Sequence, residues 1–139
     1  MYTVMPTASF PGYFTSLPKI SEFIKEIATN AGMDDAKVYQ IRLAVDEAFT
    51  NIIEHAYGGE GKGDIDLSIE PIKEGIKIII RDQGESFDPD TIPQPECDVS
   101  IDELKTRGAG LYLIHQLMDK VNFESDASKG NVLTMFKRW

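Results

Sequence analysis

The sequence predicts an α+β fold, a two-layer α/β sandwich with helices covering one face of a mostly antiparallel sheet, in one domain spanning residues 1–139. Two patterns lead there. Apolar residues recur at helical spacing in two stretches before Gly58 and in one after Gly108. Residues 64–80 and 121–136, by contrast, read as paired strands with turn residues between them. The length also suits one ordinary core-forming domain.

Taken in order, Tyr2 to Phe10 reads as a first strand, broken by Pro11-Gly12. From Leu17 to Asn30 the residues Leu17, Ile20, Phe23, Ile24 and Ile27 keep helical spacing, and Gly32 supplies a C-terminal stop. Asp34 or Asp35 suits the cap of a second helix reaching about Tyr57, before Gly58-Gly59 ends it. Its apolar stripe is Ile41, Ala44, Val45, Ala48, Phe49, Ile52 and Ala56. At about 100° per residue, Glu47, Asn51 and His55 border that stripe, so their side chains meet a cleft edge.

Asp64 to Glu70 alternates as Ile65, Leu67 and Ile69, and Ile76 to Ile80 is a denser apolar run, with Pro71 to Gly75 between them. This is a β-hairpin whose second strand delivers Arg81-Asp82-Gln83-Gly84 at its end. Residues Glu85 to Thr106 contain Pro89, Pro93, Pro95 and many acids and read as a long loop, of the length used for functional lids or disordered segments. Gly108 to about Lys120 forms a third helix with Leu111, Ile114, Leu117 and Met118 inward. Two closing strands follow, Val121 to Ser125 and Asn131 to Phe136, around the turn Asp126 to Gly130.

With 14 Lys and Arg against 23 Asp and Glu, the net charge of −9 argues against direct nucleic-acid binding, which needs clustered cations on phosphates. A protein or small-molecule partner is expected instead. Cys97 is the only cysteine, so no internal disulfide forms and a reducing compartment is expected. It lacks His or basic neighbours in its Pro-rich surroundings and reads as a bystander thiol. No basic N-terminal region precedes a long apolar stretch, and nowhere do 18 apolar residues run together, so a cytoplasmic protein without membrane association is expected.

Two stretches carry chemistry. In Glu47-Ala48-Phe49-Thr50-Asn51 a carboxylate and a metal-binding amide lie one helical turn apart and address one ligand together. In Arg107-Gly108-Ala109-Gly110-Leu111 glycines stand at a helix start, where free N–H groups and the positive dipole end suit phosphates. Together they describe a nucleotide pocket.

These residues resemble the GHKL ATPase superfamily, whose ATP-binding Bergerat fold is the histidine-kinase-like ATPase domain, and within it the bacterial anti-sigma-factor serine/threonine kinases. Leu43 to Asn51, continuing to His55-Ala56-Tyr57, is similar to their N box. Ile80 to Asp88 resembles the first glycine box, Thr106 to Ile114 followed by Leu117-Met118-Asp119 the second, and Gly130 to Met135 the closing strand. The match spans nearly the whole chain in the expected order; Ser86, where many members have glycine, departs from it.

The resemblance implies ATP and magnesium as cofactors. Glu47 would be the general base for an attacking hydroxyl, and Asn51 would hold magnesium through its amide oxygen. Asp82 would accept from the adenine amino group, Gly84 would let the backbone approach the base, and Thr134 would support the same carboxylate or a bridging water. Arg107, Gly108 and Gly110, with the adjoining Leu111, would form the phosphate-binding turn, and His55 would contact phosphate or brace the site. The acidic loop would be the ATP lid. The implied function is an anti-sigma factor that phosphorylates an anti-anti-sigma (STAS-domain) partner and sequesters a sigma factor, as a homodimer. The alternative is a non-catalytic ATP-binding module that switches partners by occupancy. A histidine-kinase catalytic domain is a weaker option, because neither His55 nor His115 sits in a phosphoacceptor context.

Overall fold

The computed structural model describes residues 6–85, 109–126, 128 and 130–139. Strand β1 (Thr7–Pro11) and a short 3₁₀ turn (Phe14–Ser16) lead into α1 (Leu17–Asn30) and α2 (Asp35–Asn51). A π-helical turn, Ile52–Ala56, continues α2. Then come the hairpin β2 (Asp64–Ile72) and β3 (Gly75–Asp82), helix α3 (Ala109–Leu117), and the hairpin β4 (Lys120–Asp126) and β5 (Gly130–Arg138). The five strands lie in the order β1-β2-β3-β5-β4, and every described neighbour pair is antiparallel.

Period-two alternation explains why one sheet face is covered. Ile65, Leu67 and Ile69 on β2, Ile76, Ile78 and Ile80 on β3, and Leu133 and Met135 on β5 are buried beneath the helices. From the other layer α1 contributes Ile20, Ile24 and Ala28, and α2 contributes Val38, Ile41, Ala44, Val45, Ala48 and Phe49. Phe10 joins the layers at the β1 edge, its ring packed edge-on against Phe23 and Phe49 at 6.0 and 6.3 Å between centroids.

The helix ends have identifiable causes. Gly32, at φ 96°, closes α1 in a Schellman turn, in which Met33 N–H donates to Ala28 O and Gly32 N–H to Thr29 O. Asp34 occupies the N-cap position of α2, yet its side chain makes no capping hydrogen bond. Helix α3 ends at Leu117, earlier than the expected Lys120, because the buried Lys137 Nζ donates to Leu117 O at 2.7 Å and the chain turns directly into β4. In the β4–β5 turn, Asp126 Oδ1 accepts from both Ser128 N–H and Ser128 Oγ–H.

Other expectations shift slightly. The first strand is described only from Thr7, and residues 2–5 of the anticipated strand lie outside the described residues. Pro71, expected in the hairpin loop, is inside β2 opposite Ile76. The described β1 pairing stops at Ser68, so Pro71 escapes the restriction on proline in a central strand. Of the anticipated lid loop only Glu85 is described.

Candidate active site

Two structural pieces meet at one end of the sheet: the terminal turns of α2 and the end of β3. The stripe that buries Ala44, Val45, Ala48 and Phe49 leaves Glu47 and Asn51 half-buried at its border, one turn apart, as their spacing predicts. Burial pushes the neighbouring Asp46 carboxyl above its ordinary value.

After Asn51 the helix widens, with Tyr57 N–H donating to Ile52 O at 2.9 Å. In a straight α-helix each four-residue step overshoots a full revolution by about 40°. A turn that takes in an extra residue offsets that drift. His55 is exposed there, with Nε2 3.9 Å from Glu54 Oε2.

Asp82 continues the inward phase of Ile76, Ile78 and Ile80, so the strand carries a carboxylate into the protein at its last position. Its relative exposure is only 4%. Two donors hold it, Gly84 N–H at 2.9 Å and Asn131 Nδ2 at 2.8 Å, and both fall on Oδ1. Burial pushes the carboxyl above its ordinary value, while the Asn131 amide and then the Gly84 N–H pull it back. With Oδ1 taken by two donors, Oδ2 is the oxygen with acceptor capacity for a ligand donor.

Asn131 is itself fixed. Its Nδ2 also donates to Glu85 O at 2.9 Å, and its Oδ1 accepts from Ser125 Oγ at 2.6 Å. The register places Asn131 directly opposite Asp82. This corrects the expectation for Thr134. Three residues further along a strand of period two, Thr134 faces the other side of the sheet, opposite Ile79 and Asn122, and does not support the Asp82 carboxylate. The buried Leu133 and Met135 were the available signal, since their phase carries Asn131 inward and Thr134 outward.

Gly84 touches the helix end so closely that an added Cβ would lie 2.5 Å from Ala56 O. Ala56 O accepts from Glu85 N–H at 2.8 Å. Tyr57, to which the motif assigns no role, donates its hydroxyl to Asp64 O at 2.6 Å and accepts from Gln83 N–H at 3.0 Å. Burial is the first cause of a raised Tyr57 pKa, so the hydroxyl remains a donor at neutral pH.

The structure thus places Glu47 and Asn51 one turn apart on α2, His55 in the π-helical turn that follows, and Asp82 and Gly84 at the end of β3 and just beyond it. Arg107 and Gly108 lie outside the described residues, and Gly110 and Leu111 fall in the first turn of α3 without described side chains. Among the described residues no group of three or more His, Cys, Asp and Glu is placed to hold a metal.

Residues 10–137 match the histidine kinase-like ATPase domain. The chain belongs to that family. It is 38% identical to the serine-protein kinase RsbW of Halalkalibacterium halodurans over 133 residues, covering 88% of this chain and 80% of the relative. Against the serine-protein kinase RsbW of Bacillus velezensis it is 32% identical over 117 residues, 79% and 71% of the two chains. As a histidine kinase-like ATPase domain it also shares its fold with the catalytic domain of the histidine kinase ThkA, at a TM-score of 0.57, 13% identity and coverage of 96% and 97%. The expected α+β sandwich and the family resemblance are both borne out, and kinship with serine-protein kinases makes this histidine kinase-like ATPase domain a protein serine/threonine kinase that uses ATP. No helix of the described residues is long and apolar enough to cross a membrane.

Proposed function

We propose that the protein is an anti-sigma factor and ATP-dependent serine/threonine kinase, which phosphorylates an anti-anti-sigma (STAS-domain) partner and otherwise sequesters a sigma factor. The observation that carries the nucleotide half is Asp82: a nearly buried carboxylate with both internal donors on Oδ1. Its other oxygen matches the adenine amino donor and mismatches the carbonyl of guanine.

Glu47 acts as general base on the partner hydroxyl, and Asn51 would hold magnesium through its amide oxygen, where the cation would offset phosphate charge. Arg107, Gly108, Gly110 and Leu111 bind the phosphates, and His55 contacts phosphate or braces the site. ATP, when bound, supplies the phosphoryl group. A phosphorylated partner then carries extra negative charge beside a chain of net charge −9, which favours release and frees the kinase for sigma factor. The chain acts in the cytoplasm as a homodimer, consistent with its single cysteine and with the sheet face opposite α1 and α2, which among the described residues bears half-buried Ile79, Val132 and Phe136.

Purified protein, γ-labelled ATP, magnesium and a STAS-domain partner test the reading. Label is expected on a partner serine or threonine. Binding of ATP with no labelled partner would instead establish a non-catalytic switching module. Light scattering checks the dimer, for which a monomeric mass is the opposing result.

A further inference from the structure

The N-terminal half of the site stands on α2 and the adenine-reading half on the end of β3, 26 residues apart in sequence between Tyr57 and Gln83. Hydrogen bonds at Tyr57 and Ala56 tie the two together. Tyr57 follows the π-helical turn directly, and its single hydroxyl is used in both directions, donating to Asp64 O where β2 begins and accepting from Gln83 N–H just after β3. Beside it, Ala56 O receives Glu85 N–H, and Gly84 lies against the Ala56 backbone.

The packing around the ring leaves it little freedom. A Cβ on Gly63 would lie 2.5 Å from Tyr57 Cε1 and Cζ, and the backbone of Gly63 is tied to Gly12, whose N–H donates to Gly63 O at 2.9 Å. The ring is therefore clamped from the glycine side while its hydroxyl spans two strand ends. A wider π-helical turn is also a defined geometry rather than a frayed end, so the position of Tyr57 relative to Asn51 is set.

We infer that Tyr57 is a positioning residue, a strut from the end of α2 that sets the Asp82–Glu85 loop at the distance from Asn51 needed to receive adenine and phosphates of one nucleotide together. The inference rests on the nucleotide-binding reading above. It assigns Tyr57 no contact with the nucleotide and predicts an effect on affinity, not on phosphoryl transfer once ATP is bound.

The test uses the full chain carrying Tyr57→Phe, which keeps the ring and deletes only the hydroxyl, and Gly63→Ala, which displaces the ring while keeping it. In the nucleotide-free protein, amide exchange at Gln83 should speed up about tenfold or more in Tyr57→Phe, while Ile78 and Ile80 exchange as in wild type. The KM for ATP should rise about tenfold in the same variant, with kcat within about twofold and an unchanged pH profile. Gly63→Ala should show the same split between KM and kcat. Unchanged Gln83 exchange, or faster exchange with unchanged KM, would overturn the strut. A parallel fall of kcat in Tyr57→Phe would also overturn it, by showing a wider structural role. If wild type itself bound no ATP, the nucleotide reading would fail, whereas the exchange measurement would still report on the strut.

Discussion

Replacing Asp82 by Asn should invert the base preference of the site. The two donors that hold the carboxylate, Gly84 N–H at 2.9 Å and Asn131 Nδ2 at 2.8 Å, both require an acceptor at Oδ1. An asparagine at this position must turn its carbonyl oxygen toward them, because the opposite rotamer would set its amide against two N–H groups. Its NH₂ then occupies the place of Oδ2 and faces the ligand as a donor. ATP loses a hydrogen bond to a charged acceptor and meets a donor instead, a loss of about 3 kcal/mol and so roughly 150-fold in affinity. Inosine triphosphate, which carries a carbonyl where adenine has the amino group, gains what ATP loses. Competition of both nucleotides against a fluorescent ATP analogue measures the ratio, and circular dichroism checks folding, which should hold because the internal donors keep their acceptor. An ATP-to-inosine-triphosphate ratio equal to that of wild type would refute the reasoning.

Three further outcomes are expected. Glu47→Gln should retain ATP binding while phosphoryl transfer falls about 10²–10⁴-fold, and unaltered transfer from labelled ATP would remove Glu47 from the base role. Gly84→Ala places a methyl 2.5 Å from Ala56 O and must push the loop off the helix end; we expect a stability loss of about 1–3 kcal/mol in urea titration together with weaker ATP binding. Because the folded-state pKa of Asp82 is raised by burial, the ionised form is disfavoured by folding. Stability contributed through this group therefore falls as pH rises from the ordinary aspartate value, 3.8, through the raised folded value. ATP affinity moves oppositely, weakening as pH falls through the raised value and removes the acceptor. Calorimetric binding and thermal melts across that acidic range should show these opposed slopes, both flattened in Asp82→Asn.

The legible part of the site consists of features whose spacing is local. Glu47 and Asn51 are one helical turn apart, and a helix stripe of period 3.6 suffices to place them together at its border. Asp82 could be placed at a strand end because an apolar run precedes it and a glycine follows. Alternation from the buried Leu133 and Met135 turns Thr134 away from Asp82, so the strand period and not the motif resemblance decides its place. Tyr57 gave no comparable signal, since nothing near it in sequence identifies Gln83 and Asp64 as the partners of its hydroxyl.

By itself, then, the sequence determined the α+β architecture, the helix carrying Glu47 and Asn51, and the strand that ends on Asp82, because each follows from periodicity within one segment. Only the tertiary structure decided the strand order β1-β2-β3-β5-β4, the seating of Asn131 on Asp82 and the tie from Tyr57 to Gln83. Those depend on register between segments far apart in the chain, and register is fixed by burying one whole sheet face against α1 and α2.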